Sequence, residues 1–314
     1  MTMKCWIITE SGLIGTENQC LGVAEALGIT PIVKRIGLRQ PWKIFSPYLG
    51  LENQNSFTGD SLTAPFPDLV IAAGRKAIAA ARYIKKASNG KTFVTLLQDP
   101  RVSPRPFDLV AVPAHDNLRG PNVIVTQATP NRVFTASLHA AHDKFAGLLS
   151  HLPGPRVAVL IGGNSKSYTL TPEIMTDLAN DLRKLAGHGA SLMVTASRRT
   201  GEHNRLILEN TLNGTNALIW DGTGDNPYYG FLAWANYIVV TADSASMLSE
   251  AATTGKPVYM VPLTGGSARF DKLHANLLNA GVIQTFRGKL EPYNYTPLQD
   301  AAMVAKEIRK RLKI

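Results

Sequence analysis

Short apolar runs, each flanked by polar or glycine-bearing residues, recur along the whole chain. Cys5-Trp6-Ile7-Ile8-Thr9 is the first, and residues 31–36, 67–75, 92–97, 109–112 and 122–126 continue the series. Consecutive apolar positions in runs this short predict strands buried on both faces. Between them the spacing turns helical. Residues 18–27 end at Gly28, Ala77, Ala80, Ala81 and Ile84 give residues 76–86 a packing stripe, and residues 133–149 form a further helix. Strands alternating with helices predict a parallel sheet with right-handed crossovers. Residues 37–67, rich in Pro, Asn and Ser, read as irregular.

The pattern pauses at His151-Leu152-Pro153-Gly154-Pro155, a stiff joint, and then restarts. Strands are expected at 157–161, 190–195, 218–221, 237–240 and 258–261, and helices at 172–186, after Ser244, and at 272–280. The expected organisation is one Rossmann-like domain over 1–150 and a second over 151–297. Leu298, Ala301, Ala305, Ile308 and Leu312 give residues 298–314 a helical stripe. That helix is expected to cross back onto the first domain.

Composition narrows the class. With 45% apolar and 18% charged residues the chain reads as globular, and no apolar run approaches a bilayer span. No signal peptide is evident, and Cys5 and Cys20 are isolated, which argues against a disulfide or metal framework. The expected compartment is the cytoplasm, with peripheral attachment to the inner face of a membrane as a further expectation. The formal net charge is +10: residues 1–150 hold 16 Lys and Arg against 10 Asp and Glu, and the remainder 17 against 13. Nucleic acid, an anionic membrane or an anionic small substrate would suit this balance, but no nucleic-acid-binding motif accompanies it. The segment from Trp42 to Leu49 is aromatic and basic, with no acid until Glu52. An apolar loop folded back on its domain is the preferred reading, and a surface for a lipid-linked or membrane-proximal acceptor is the other.

Candidate chemistry concentrates in residues 237–266, a strand–helix–strand unit. Backbone amides at the helix start, with Ser244 and Ser246 beside them, suit a phosphate, and Glu250 further along could accept from a ribose diol. Together they fit a nucleoside diphosphate; a capped helix with a solvated glutamate is the plain alternative. Arg198 or Arg199 could pair with phosphate through a planar fork, or stand as solvated surface arginines.

Asp243-Ser244-x-Ser246-Met247-x-Ser249-Glu250-Ala251, followed by Gly255-Lys256-Pro257 and Val261-Pro262, resembles the donor-binding segment of GT-B glycosyltransferases. It is similar in particular to that of the peptidoglycan lipid-I N-acetylglucosaminyltransferase. The resemblance implies an α/β fold of two Rossmann-like parallel-sheet domains facing a cleft. It also implies that Ser244 and Ser246 face a pyrophosphate while Glu250 holds the ribose. Gly162, Gly163 and Ser165 would approach phosphate as a first donor loop, and Arg269, in the loop 265–271, would lie near the sugar. The substrate implied is a nucleotide-diphosphate sugar, UDP-type favoured, with no metal and no cofactor.

A second resemblance covers nearly the whole chain. Gly15-x-x-Asn18-Gln19, Asp68-Leu69-Val70-Ile71-x-x-Gly74-Arg75, Gln98-Asp99-Pro100-Arg101, Phe107-Asp108-Leu109-Val110, His115-Asp116, Asn122-Val123, Ser197-Arg198-Arg199-Thr200 and Asn226-Pro227-Tyr228 stand in the order of the mitochondrial-fission Elm family. That family includes plant proteins that recruit a dynamin-related protein to mitochondria. Thr16 stands where many relatives have a His, so no role passes to that position. Three expectations follow: a metal-independent glycosyltransferase, a non-catalytic nucleotide- or protein-binding adaptor, and a sugar-nucleotide epimerase. The first requires a base in the first domain, with Glu17, Asp99 and Asp116 as candidates. Glu17 is preferred because it is expected in the glycine loop.

Overall fold

The computed structural model describes residues 3–314, which fall into two compact units, Met1–Arg132 with Gln299–Ile314, and Val133–Leu298. The first opens with β1 (Cys5–Glu10), α1 (Ile14–Leu27), β2 (Ile32–Leu38), a single helical turn α2 (Trp42–Phe45) and β3 (Phe57–Gly59). It continues through β4 (Leu69–Ala72), α3 (Arg75–Ala87), β5 (Phe93–Leu96), β6 (Leu109–Pro113) and β7 (Val123–Thr126). The described residues form a seven-stranded sheet in the order β3-β2-β1-β4-β5-β6-β7, parallel except for β3, which the sequence pattern does not announce.

The second unit begins with α4 (Thr135–Lys144) and α5 (Ala146–Leu149), then β8 (Arg156–Ile161), β9 (Tyr168–Thr169), α6 (Pro172–Gly187) and β10 (Ser191–Ala196). It proceeds through α7 (Glu202–Leu212), β11 (Ala217–Ile219), α8 (Tyr228–Trp234), β12 (Tyr237–Thr241), α9 (Ala245–Thr253) and β13 (Val258–Val261). It closes with β14 (Thr264–Gly265), α10 (Ala268–Asn279) and β15 (Ile283–Thr285). Its main sheet is parallel, in the order β11-β10-β8-β12-β13-β15. The last helix, α11 (Asp300–Leu312), belongs to the first unit.

Two-sided burial explains the strand sequences. In β1, Trp6 and Ile8 join a core with Ala77, Ala80 and Ile84 of α3, whereas Cys5 and Ile7 join one with Cys20 and Val23 of α1 and with Val304 and Ile308 of α11. Successive residues point to opposite faces, so a strand covered by helices on both sides must be apolar throughout. The C-terminal helix thus completes the first unit's second face, as its apolar stripe implies.

The compact units divide after Arg132, ahead of the Pro–Gly joint, because α4 packs on α8. His142 stacks on Trp234 with ring centroids 4.1 Å apart, and Trp234 Nε1 donates to the His142 carbonyl at 2.9 Å. Two helices also begin earlier than their sequence pattern suggests. α1 starts at Ile14 and α10 at Ala268, so Glu17 and Arg269 lie in first helical turns and not in loops.

In each sheet the chain winds outward from one strand and then returns to wind the other way. The reversals fall between β1 and β4 and between β8 and β12. The carboxyl ends of strands at such a reversal are where open α/β sheets bind ligands.

Candidate functional site

At the β8/β12 reversal Gly162 and Gly163 follow β8. A Cβ on Gly162 would lie 2.3 Å from both carboxylate oxygens of Asp243, and one on Gly163 (φ 148°) would lie 2.1 Å from the Arg199 carbonyl oxygen. Only glycine admits both approaches. Asp243 follows β12 and is fully buried. It accepts from Gly163 N–H at 3.0 Å and Thr241 Oγ1 at 2.7 Å, and pairs with Arg199 Nη1 at 2.7 Å. The Gly162 N–H goes to Thr241 Oγ1 at 2.8 Å. Ser165 N–H goes to the Tyr168 carbonyl at 2.9 Å, and Ser165 Oγ accepts from Tyr168 N–H at 3.0 Å. The loop expected to cradle a ligand phosphate through Gly162, Gly163 and Ser165 instead has these groups engaged inside the unit. Asp243 is the anion it holds.

Immediately after Asp243, the start of α9 is half-buried. Ser244 caps α9 by accepting from Met247 N–H at 3.3 Å, while Ser246 is half-buried beside the first amides. These amides have no intrahelical partner and carry the positive end of the helix dipole. Glu250 points inward and is only 8% exposed. Tyr228 Oη donates to Glu250 Oε2 at 2.5 Å, and no cation faces this carboxylate among the described residues. Burial pushes Glu250 up to about 7, while the Tyr228 hydrogen bond pulls it back. Burial, then the charge of Glu250, holds the Tyr228 phenol well above its ordinary range.

Tyr228 owes its position to the two ends of α8. Its N–H donates to Asn226 Oδ1 at 3.0 Å. Lys256 Nζ donates to the carbonyls of Leu232 and Ala233 at 2.6 and 2.5 Å, in the last turn. A cation at this end complements the helix dipole. Burial lowers Lys256 to about 8.

Tyr228 also lines an open cavity of about 970 Å³ within the second unit, together with Ser197, Arg198, Ile219, Trp220 and Met247. Arg198 is exposed there and has no acidic partner among the described residues. Arg205 is held by Glu209, Nε to Oε1 at 2.6 Å. The cavity thus offers an aromatic wall at Trp220, a free cation at Arg198 and, through Tyr228, a hydrogen-bonded route to a buried carboxyl. Of the predicted residues Arg198 lines it and Glu250 is joined to it through Tyr228, whereas Ser244, Ser246 and the exposed Arg269 of α10 are not among its lining residues.

The candidates in the first unit are arranged differently. Glu17 lies on α1, where Arg35 Nε and Nη2 clasp its two oxygens at 2.7 and 2.6 Å, so both oxygens are engaged by a cation. Asp99 accepts from the Arg101 N–H at 2.7 Å in a tight turn after β5. Asp116 follows β6 beside the buried His115, 3.9 Å between Oδ1 and Nε2. Among the described residues no group of three or more His, Cys, Asp or Glu is placed to hold a metal ion. No helix there is long and apolar enough to cross a membrane. Sequence reasoning gave Tyr228 no role beyond its place in a family motif and missed the buried role of Asp243. An apolar run after Asn226-Pro227 was the available signal for α8.

Comparison with known proteins fits this architecture. The family model for mitochondrial fission ELM1 matches residues 14–312. Mitochondrial fission protein ELM1 of Arabidopsis thaliana is 32% identical over 277 residues, covering 78% of this chain; the chain spans 64% of the length of that relative. An uncharacterised protein of Rickettsia prowazekii (strain Madrid E) is 30% identical, with 99% of each chain covered. Among solved structures, MurG of Acinetobacter baumannii is similar with a TM-score of 0.52 at 15% identity, covering 98% of this chain and 91% of that one. UDP-GlcNAc 2-epimerase of Methanocaldococcus jannaschii, solved in complex with UDP-GlcNAc and UDP, is similar with a TM-score of 0.53 at 12% identity, covering 99% and 100%. These likenesses make the fold GT-B-like.

Proposed function

Because the chain belongs to the mitochondrial fission ELM1 family and its second unit sets a buried carboxyl beside an open cavity, we propose that this unit binds a nucleotide-diphosphate sugar, UDP-type favoured. The observation that supports the reading is Glu250. It is a buried acid with no counter-cation among the described residues, reached from the cavity through Tyr228. Such a group is costly for the fold and suits a ligand hydroxyl. The base stacks on Trp220, the ribose reaches Glu250, and the diphosphate meets the α9 amides, Ser244, Ser246 and Arg198. Arg269 stands further off toward the sugar.

The activity we propose is metal-independent glycosyl transfer to an acceptor held by the first unit, a lipid-linked or membrane-proximal acceptor being the candidate, in the cytoplasm. With Glu17 bound to Arg35, Asp99 and Asp116 are the remaining bases, each after a strand of the first sheet. A second reading, a non-catalytic nucleotide-binding adaptor, is favoured by the self-filled glycine loop. Thermal shift against UDP-, GDP-, ADP- and CMP-sugars tests the binding. Saturating ligand adds roughly 2.7 kcal/mol at a hundredfold excess over the dissociation constant. One nucleotide class should shift the wild type and fail on Glu250→Ala and Arg198→Ala; a panel without any shift rejects the donor site. Donor turnover followed by NMR then separates the activities. Nucleotide release that requires an acceptor marks a transferase, a changed sugar without acceptor an epimerase, and intact donor the adaptor.

A further inference from the structure

We infer that residues 39–51 of the first unit form a docking surface for an anionic lipid bilayer. The segment is built with inverted polarity. Its uncharged hydroxyl and indole N–H are tied down: Ser46 is buried and donates to the Arg75 carbonyl at 3.3 Å, and Trp42 Nε1 donates to the Gly50 carbonyl at 2.9 Å. Arg82 of α3 ties it down from beneath, donating to the Pro47 carbonyl at 2.9 Å and to Glu52 at 3.0 Å. Its large apolar side chains point outward. Ile44 is 63% exposed, Phe45 55%, Tyr48 66% and Leu51 82%. Isolated exposed apolar residues are ordinary, but a run of them on a pinned scaffold is a built surface.

Charge selects the occupant. The first unit carries 20 Lys and Arg against 11 Asp and Glu, the second 13 against 12, so nearly all of the net positive charge belongs to the unit that bears this surface. The segment contains no acid, and the first one beyond it, Glu52, is turned inward onto Arg82, while Arg39 and Lys43 remain exposed without an acidic partner among the described residues. The outward face therefore holds apolar groups and cations and no anion. A second copy would bring like charges together. An anionic bilayer takes both halves at once, with headgroup phosphates on the cations and the acyl boundary receiving the side chains. The loop folded back on its domain, the preferred sequence reading, describes Trp42 and Ser46 but not the residues beside them. This surface is independent of the donor site, since vesicle binding needs no nucleotide.

The test is co-sedimentation of the full chain with large unilamellar vesicles of pure phosphatidylcholine, or of phosphatidylcholine with about 30 mol % phosphatidylglycerol. Wild type is expected to pellet with the anionic vesicles and to be released by salt. I44S/F45S/L51S, all exposed positions, is expected to keep the wild-type melting temperature and bind roughly tenfold more weakly. A Tyr48→Trp variant should show a blue-shifted emission on anionic vesicles. Failure of the wild type to pellet, equal binding by the triple variant, or equal binding to neutral vesicles overturns the inference. A concentration-dependent dimer abolished by the triple variant would assign the surface to a second copy instead.

Discussion

The two sheets wind alike, yet their reversal points hold their charges differently. At the end of β1, Glu10 accepts from Lys76 N–H at 2.9 Å and pairs with Lys76 Nζ at 2.9 Å, and both side chains keep some contact with water. After β12, Asp243 is fully enclosed by Gly163, Thr241 and Arg199. Each reversal is thus closed by a carboxylate and a cation of the chain itself. Roughly two turns beyond Asp243 in the chain, on α9, Glu250 is also buried but faces a neutral phenol. A buried acid that has its own cation is costly to disrupt, because removing either partner strands the other, whether or not the pair adds net stability. A buried acid without one raises the energy of its charged form and is a place for a ligand. Asp243 and Glu250 therefore ought to respond to neutralisation with opposite signs.

The largest effect belongs to Asp243. Asp243→Ala leaves Arg199, Thr241 and the Gly163 amide without their acceptor and should cost about 3 kcal/mol, read as a lower urea midpoint. An unchanged midpoint would remove Asp243 from the framework. Glu250→Gln should act the other way. The folded-state value of Glu250 is raised from 4.5 to about 7, so the folded protein binds the extra proton. Its contribution to stability is fully present below pH 4.5 and is lost as pH rises through 7. Gln keeps an acceptor for Tyr228 and carries no charge. The variant should lose this slope and, at alkaline pH, be more stable than wild type by up to about 3 kcal/mol. Parallel stability–pH curves for the two proteins would refute the burial argument.

Tyr228→Phe should cost about 1 kcal/mol and move the Glu250 titration further upward, observable by carboxyl NMR. A downward move would mean that the phenol is not its donor. The smallest effect is expected at Glu17. Its partner Arg35 is half exposed, so Glu17→Gln should change stability by no more than roughly 1 kcal/mol and leave donor turnover unaltered. A large fall in turnover would return Glu17 to the position of base.

Much of this was legible in the sequence because strand and helix signals are local. The runs at Cys5 and Val157, the alanine stripe of α3 and the Ser244 cap all stand where the pattern puts them. What escaped depends on groups distant in the chain. The glycine pair after β8 has the composition of a ligand cradle, and only the fold brings Asp243 and Arg199 into it. Glu17 reads as free until β2 delivers Arg35. The sequence leaves Glu250 as a ribose acceptor or a solvated residue, and its burial shows only once α8, a seven-residue helix hidden among turn residues, brings Tyr228 over it. The pinned loop at 39–51 has an apolar sequence that suggests burial, and its exposure follows from Arg82 and Ser46 pulling the polar groups in.

Calorimetric titration of UDP into wild type, Glu250→Gln and Asp243→Asn at pH 8 separates the ligand-binding role of Glu250 from the structural role of Asp243. Wild type is expected to bind, and Glu250→Gln to be the more stable protein yet bind at least roughly tenfold more weakly, by loss of a charged acceptor. Asp243→Asn should be less stable while still binding. Equal UDP affinity in wild type and Glu250→Gln, or no binding by wild type, would contradict that division of roles.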